Sequence, residues 1–314
     1  MSTTFLETPS SANRRASILR LTRENILVWI GLAAIVALAA ALRFGNIEAI
    51  GQSNTYYTAA VESMLQSWPN FFFVAAEPGG SVSIDKPPVG LWIEAISAYF
   101  LGVNGFATVL PQLLAGIFSV ILIFRLVRRS FGSVAGLLAA LALAVTPVAI
   151  AVERNNTSDG TLIFTLLLAT WAFIKATETR RLRFLLLGAV LVGIGFNIKM
   201  MQAFLPLPAL YALYFLGSEQ GWRRKIVHLG LATAVLIVVS LSWAVAVDLT
   251  PADQRPYVGS SENNSVLNLM LGYNGIDRLT GMNPGSAASN VSGQGDGQFT
   301  PPTMLNGQGN PPAL

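Results

Sequence analysis

The chain has 314 residues, of which 53% are hydrophobic and 11% charged, with a formal net charge of +4 and no cysteine. A soluble domain carries about a quarter charged residues, and here the apolar residues run in long blocks, which excludes an ordinary water-soluble globule. The missing cysteine excludes disulfides, thiolate nucleophiles and cysteine metal sites.

In chain order, residues 1–25 read as a cytoplasmic N-terminal segment. No small-residue cleavage motif follows the first apolar block, so this is not read as a removable signal peptide. A span needs roughly 20 mostly apolar residues. Seven blocks qualify: 26–45, 106–127, 134–152, 159–176, 184–201, 203–217 and 229–247. The sixth is short, and Pro206 and Pro208 predict an irregular start to it. Residues 88–102 are apolar too, but the stretch is short and contains Glu94.

Charge decides how these blocks are threaded. Of the 20 Lys and Arg residues, 14 fall in four clusters at 14–23, 125–129, 175–183 and 223–225. With all four facing the cytoplasm, the positive-inside rule gives seven spans, a cytoplasmic N-terminus and an external segment after 248. Residues 46–105 then form one external loop, and 88–102 must lie along the interface or re-enter. A true span there is the competing reading. Residues 55–67 predict a short amphipathic helix with Tyr56, Ala59, Ala60 and Met64 on one face. Trp68 and Phe71 to Phe73 suit the headgroup belt. The single histidine, His228, follows a basic cluster and reads as interfacial rather than catalytic.

The remaining charges carry the chemistry. Arg43, Lys86, Arg154 and Lys199 stand at outer ends of apolar segments, where an unpaired cation is costly. Snorkelling explains any one of them, while four together point to a shared anionic ligand. Twelve of the 16 acidic residues lie on or near the same outer face. Asp85-Lys86-Pro87-Pro88 sets a carboxylate and an ammonium on stiff backbone. Glu153-Arg154-Asn155-Asn156-Thr157-Ser158-Asp159 is a charged turn between two spans, and Asn197-Ile198-Lys199 ends another. Carboxylates that deprotonate hydroxyls, with cations that neutralise phosphate, suit group transfer from a phosphate-linked donor. The spacing specifies no metal and leaves divalent-cation binding by Asp85 and Asp159 open.

Residues 248–280 read as an external loop containing Arg255-Pro256-Tyr257 and Asn263-Asn264-Ser265, polar enough either to line a sugar site or to form an ordinary loop. From 281 to 314, Gly, Asn, Gln, Ser and Pro dominate, a composition that predicts disorder. Such an ending reads as a chain cut short or a natural reduced form.

These motifs resemble the N-terminal part of a bacterial glycosyltransferase of the dolichyl-phosphate-mannose–protein mannosyltransferase superfamily (glycosyltransferase family 39), in its YkcB-like branch. The resemblance covers about 25–280. It is carried by Asn54 to Tyr57, Ser67-Trp68-Pro69-Asn70-Phe71-Phe72-Phe73, Ile84-Asp85-Lys86-Pro87-Pro88, Leu110-Pro111, Glu153 to Asn156, Asn197 to Met200, and Arg255 through Ser265. It implies an all-α GT-C-type membrane module over 26–247, with interfacial helices in the loop 46–105. It also implies a polyprenyl-phosphate sugar donor, mannose-like in its sugar, and an acceptor hydroxyl on protein, lipid or glycan at the outer face of a bacterial plasma membrane. No nucleic-acid partner is expected. By this resemblance Asp85, Lys86 and Asp159 are the candidate catalytic residues. The candidate substrate-binding residues are Asn54, Tyr57, Glu62, Arg154, Asn155, Lys199, Tyr257 and Asn263.

The chain departs from the family at Gln52-Ser53-Asn54-Thr55-Tyr56, where many members carry an acidic residue or pair as base. Asp85 or Glu62 then takes that role, or the base comes from elsewhere. Two other classes compete. A transporter or flippase of an anionic lipid-linked substrate calls for charges at mid-membrane depth. A truncated, non-catalytic family member would keep the fold without the chemistry.

Overall fold

The computed structural model describes residues 11–271, with side chains described for 26–270. The expected tail 281–314, and the last part of the loop before it, lie outside the described residues. The described chain is helical, with only two isolated β-bridges. Its elements are α1 (Ser11–Phe44), α2 (Thr55–Met64), α3 (Trp68–Phe73), α4 (Pro88–Leu101), α5 (Gly105–Val145), α6 (Pro147–Glu153), α7 (Asp159–Thr179), α8 (Leu182–Lys199), α9 (Leu207–Gly217), α10 (Trp222–Leu249) and α11 (Val266–Leu271). Among the described residues, five helices are long and apolar enough to cross a membrane: Ile26–Phe44 of α1, α5, α7, Leu182–Phe204 including α8, and α10. Two shorter apolar helices, α4 and α9, accompany them.

The two expected blocks, 106–127 and 134–152, correspond to two helical arms, taken together as α5, that are separated by a kink. The arms meet at Gly132, whose φ of 84° and ψ of 176° are non-helical. Only a residue without Cβ takes that geometry cheaply, so the chain folds back there. The reversal is tight: a Cβ on Gly136 would stand 3.0 Å from the carbonyl oxygen of Phe124. The second arm also stops at Val145, short of the expected 152. Pro147 restricts Thr146 to extended backbone (ψ 114°), and a separate helix, α6, begins after it. The sixth block likewise begins late. Met200 leaves helical space (φ 49°, ψ −131°), a 3-10 turn covers 200–204, and α9 starts only at Leu207.

α7, α8 and α10 pack side by side through small residues. A Cβ on Gly188 would meet the Phe173 ring at 2.7 Å, and one on Gly193 would meet Val239 at 2.8 Å. At one end of this bundle Arg129 pairs with Glu178, Arg180 pairs with Glu219, and Lys225 Nζ donates to the Phe215 carbonyl at 2.7 Å. Three of the basic clusters therefore share one end. His228 is buried there, hydrogen-bonded through Nδ1 to the Tyr214 hydroxyl at 2.7 Å. Helix α7 has 21 residues, a length of about 30 Å, which separates this end from Asp159 by about one hydrocarbon thickness.

The segment between α1 and α5 folds onto the opposite end. α4 has 14 residues and packs against α2, α5 and α8. It buries Leu91, Glu94, Ala95 and Ala98 and exposes Ile96, Tyr99 and Phe100. At about 21 Å it is shorter than the hydrocarbon layer. The inward face of α2 is Thr58, Ala60, Val61 and Met64. Tyr56 and Ala59, expected on that face, are exposed, because α2 docks along the 57–61–64 line. Aromatic rings close the joint. Phe71 stacks on Trp92 at 5.7 Å, and the indole N–H groups of Trp92 and Trp243 donate to the carbonyls of Phe71 and Phe72.

α1 is locked to the same end by a fully buried ion pair, Arg43 Nε to Glu153 Oε2 at 2.5 Å, with Arg43 Nη1 also donating to the Ala144 carbonyl at 3.2 Å. Gly116 leaves room for it, since a Cβ there would lie 2.2 Å from Glu153 Oε2. Removing one partner strands the other charge. Glu153→Leu is expected to destabilise the protein by about 3–5 kcal/mol, read as a lowered Tm in detergent or nanodiscs, with Gly116→Ala lowering it through the same pair.

Candidate functional site

The polar end of the bundle contains a cleft of about 520 Å³ bordered by Tyr57, Asp85, Lys86, Ala151, Val152, Asn155, Thr157, Asp159 and Lys199. Four separate chain segments build it. Asp85 and Lys86 stand just before α4, whose first residue is Pro88. A proline there has no helical N–H to lose. Asp159 opens α7 and Lys199 closes α8, so each charge complements its helix dipole. Tyr57 comes from the first turn of α2, and Asn155 from the turn after α6.

The charges are arranged as two ion pairs. Lys86 binds the carboxylate of Asp85, and Lys199 Nζ lies 2.5 Å from Asp159 Oδ1. All four side chains are partly exposed, between 14% and 25%, so they remain reachable from the cleft. Lys86 and Lys199 also share the wall of a narrow recess with Asn156 and Ser158. Beside the cleft lies an apolar groove of about 320 Å³ between α3, α4, α8 and α10, lined by Phe72, Pro88, Trp92, Asn197 and Trp243 among others. It begins two residues from Lys86 and two from Lys199.

The sides of the cleft are tied by amide chemistry. Asn54 caps α2 by accepting from the N–H groups of Tyr56 and Tyr57, at 3.1 and 3.4 Å. Its own N–H donates to Asn156 Oδ1 at 3.0 Å, and Asn156 Nδ2 donates to Thr58 Oγ1 at 3.2 Å. Ser53 Oγ donates to Asn155 Oδ1 at 2.8 Å. The Asp85 strand is held from the other side. Ser83 N–H donates to the Tyr257 carbonyl and Tyr257 N–H to the Ser81 carbonyl, both at 2.8 Å. Asn264 Oδ1 accepts from Arg255 Nη1 and from Val258 N–H, fixing that partner strand.

Not every candidate residue reaches the cleft. Asp85, Lys86, Asp159, Tyr57, Asn155 and Lys199 border it, and Asn54 lies directly behind. Arg154 donates instead to the carbonyls of Leu42, Arg43, Gly45 and Asn46, capping the end of α1. Glu62 is exposed, one helical turn past Thr58 on α2. Tyr257 acts through its backbone, and its hydroxyl donates to the Ser261 carbonyl. Asn263 is exposed beside the working Asn264. The expectation that Arg43, Arg154, Lys86 and Lys199 grip one ligand therefore narrows to the two lysines, because both arginines are engaged within the fold. Sequence reasoning passed over Asn156 and Ser158, although both stand in the charged turn that it singled out. Among the described residues, no three His, Asp or Glu side chains gather closely enough to hold a metal ion.

These features define a helical membrane protein with a charged cleft at one end and an apolar groove opening beside it. The family model described as dolichyl-phosphate-mannose-protein mannosyltransferase matches residues 85–243, and the chain belongs to that family. It is similar to two Bacillus subtilis (strain 168) proteins with mannosyltransferase names. These are YkcB, 47% identical over 81% of this chain and 36% of the relative, and YycA, 45% identical over 85% and 39%. A Pseudomonas aeruginosa (strain LESB58) protein named undecaprenyl phosphate-alpha-4-amino-4-deoxy-L-arabinose arabinosyl transferase is 31% identical over 54% of the chain and 32% of that protein. The chain thus spans about a third of the length of these curated relatives. No solved structure matches it.

Asn156 is 1% exposed and ties the turn before α7 to residues 53–58, so Asn156→Ala should loosen this wall by about 1–3 kcal/mol, read as faster hydrogen exchange at residues 54–58. Glu77 accepts from the N–H groups of Ser81 and Gly79, which hold its carboxyl below the usual range. That turn is favoured above the ordinary glutamate pKa and is released as pH falls through the lowered value, so exchange at Ser81 should accelerate on acidification and Glu77→Gln should abolish the pH response.

Proposed function

We propose that the chain is the donor-binding and catalytic part of a glycosyltransferase that takes a mannose-like sugar from a polyprenyl phosphate and passes it to a hydroxyl acceptor. The single observation that carries this reading is the meeting of two lysine–aspartate pairs in one cleft with an apolar groove at its edge. A phosphate with a long isoprenoid tail needs cations for its head and an apolar channel for its tail, side by side. The relatives' names, which include a sugar linked to undecaprenyl phosphate, support the same donor class.

In this reading the two arms of α5 cross separately, the second lengthened by α6, and with α1, α7, α8, α10 and α9 together with the 3-10 turn at 200–204 before it they give seven crossings of GT-C type. The basic end faces the cytoplasm by the positive-inside rule, and the cleft faces outward. The donor phosphate enters between Lys86 and Lys199 and draws them partly from their aspartates. The acceptor oxygen attacks the anomeric carbon and forms the new C–O bond. The bond to the phosphate oxygen breaks with both electrons, and the released polyprenyl phosphate is neutralised by the lysines. The acceptor proton passes to Asp85, freed of its lysine, as general base. One displacement inverts the anomeric centre. Asp159 holds Lys199 aimed at the cleft, Tyr57 and Asn155 face the sugar, and Arg154 shapes the wall. The carboxylates of Asp85 and Asp159 could admit a divalent cation, and no step requires one. The transporter reading has less support, since the site's charges gather at one end of the bundle.

The test is donor turnover in the full-length protein in nanodiscs. Lys86→Ala and Lys199→Ala should each lower kcat/KM about 10²–10³-fold without changing membrane insertion. Asp85→Asn should cost a similar factor in kcat, whereas Glu62→Gln should change it less than about twofold. Unchanged turnover in both lysine variants would remove the assignment.

A further inference from the structure

Glu94 is a buried acid that the transfer chemistry leaves unused. It lies within α4 at 0% exposure, among Leu91, Ala95 and other core residues. Its Oε1 accepts from Gln112 Nε2 of α5 at 3.0 Å and from Ser158 Oγ, just before α7, at 3.5 Å. Gln112, also fully buried, carries the link onward by accepting the N–H of Thr161 in the first turn of α7 at 3.0 Å. Three helices therefore meet in one polar node within an apolar core. Such a node fixes register, because any slip leaves a buried donor or acceptor unpaired.

The position of this node gives it a consequence for the cleft. Helix α4 carries Asp85 and Lys86 at its head, and Ser158 immediately precedes Asp159, the partner of Lys199. Ser158 is itself held in left-handed backbone, with φ of 61°. Its Oγ sits so close to α4 that a Cβ on Gly90 would approach it to 2.3 Å. Glu94 and Gly90, one turn apart on α4, thus bear on Ser158 directly, while Gln112 ties Glu94 to Thr161 in the first turn of α7.

We propose that Glu94 is a positioning residue that sets, through Gln112 and Ser158, the separation between the Asp85–Lys86 pair and the Asp159–Lys199 pair, and hence the width of the phosphate site. The kinetic side of this inference rests on the transferase reading, whereas the registration of the two pairs does not. Each hydrogen bond at Glu94 requires only an acceptor oxygen, which a carboxamide supplies equally. Leucine supplies none and leaves Gln112 Nε2 as a buried donor without an acceptor.

The experiment uses the full-length protein in nanodiscs carrying Thr157→Cys, a unique thiol in the otherwise cysteine-free 314 residues. Two quantities are read: the rate at which a charged, water-soluble thiol reagent modifies it, and the affinity for polyprenyl-phosphate mannose. Glu94→Gln should leave both within about twofold, and Glu94→Leu should change the labelling rate severalfold and weaken donor binding about tenfold. Gly90→Ala, which pushes Ser158 without removing a polar group, should move the same two readouts. The proposal is overturned if folded Glu94→Leu keeps parental labelling and affinity, or if Glu94→Gln fails as badly as leucine. If Glu94→Leu does not fold, Gly90→Ala decides, and parental values there overturn it. Should the parent bind no donor while labelling still follows this pattern, the transferase reading fails and the positioning role stands.

Discussion

A charge beside hydrocarbon must be paired, hydrated or bound, and that constraint organises this chain more than any other. Arg43 and Glu153 satisfy it by burying each other, which joins α1 to the end of α6. Arg154 satisfies it on four carbonyls at the end of α1. Lys86 and Lys199 satisfy it with neighbouring aspartates that are still partly solvated. The first solutions consume the charge in the fold, and the last keeps it within reach of a ligand. The division between scaffold and site follows from that difference in exposure.

The segment between α1 and α5 serves the same end. Residues 81–83 pair with 257–259, and Asn54 pairs with Asn156, so the charged cleft is walled by backbone and amide hydrogen bonds rather than by further ions. Amides suit this work because they bind without the desolvation cost of a charge. The aromatic joint of Phe71, Trp92 and Trp243 then ties the wall to α4 and α10, leaving the apolar groove directly beside the lysines. Polar head site and apolar channel are two faces of one packing arrangement.

Much of this was legible in the sequence. Block length and low charge gave a polytopic helical protein, and the basic clusters gave a common end for 125–129, 175–183 and 223–225. The pairs at Asp85–Lys86 and at Asn197 to Lys199 stood out because ions at the edges of apolar runs are rare. Other features were not legible. That the chain breaks and turns back at Gly132, between the two arms of α5, depends on a single residue's backbone angles. The docking face of α2 depends on which helix it meets, since Tyr56 and Val61 are about equally good candidates for burial until that partner is known.

The sequence by itself determined which residues could not face lipid alone, because transfer free energy is a property of each side chain and its immediate neighbours. It could not determine how those residues divide among themselves. Arg43 and Lys199 look alike along the chain, each a cation ending an apolar block, yet one is sealed against Glu153 and the other borders a cleft. Only the tertiary structure decided that, since partner choice depends on which helix ends meet, across 110 positions for Arg43 and 40 for Lys199. Glu94 was visible as an anomaly in an apolar run. Its link to Ser158, 64 positions away, exists only once α4, α5 and α7 are packed.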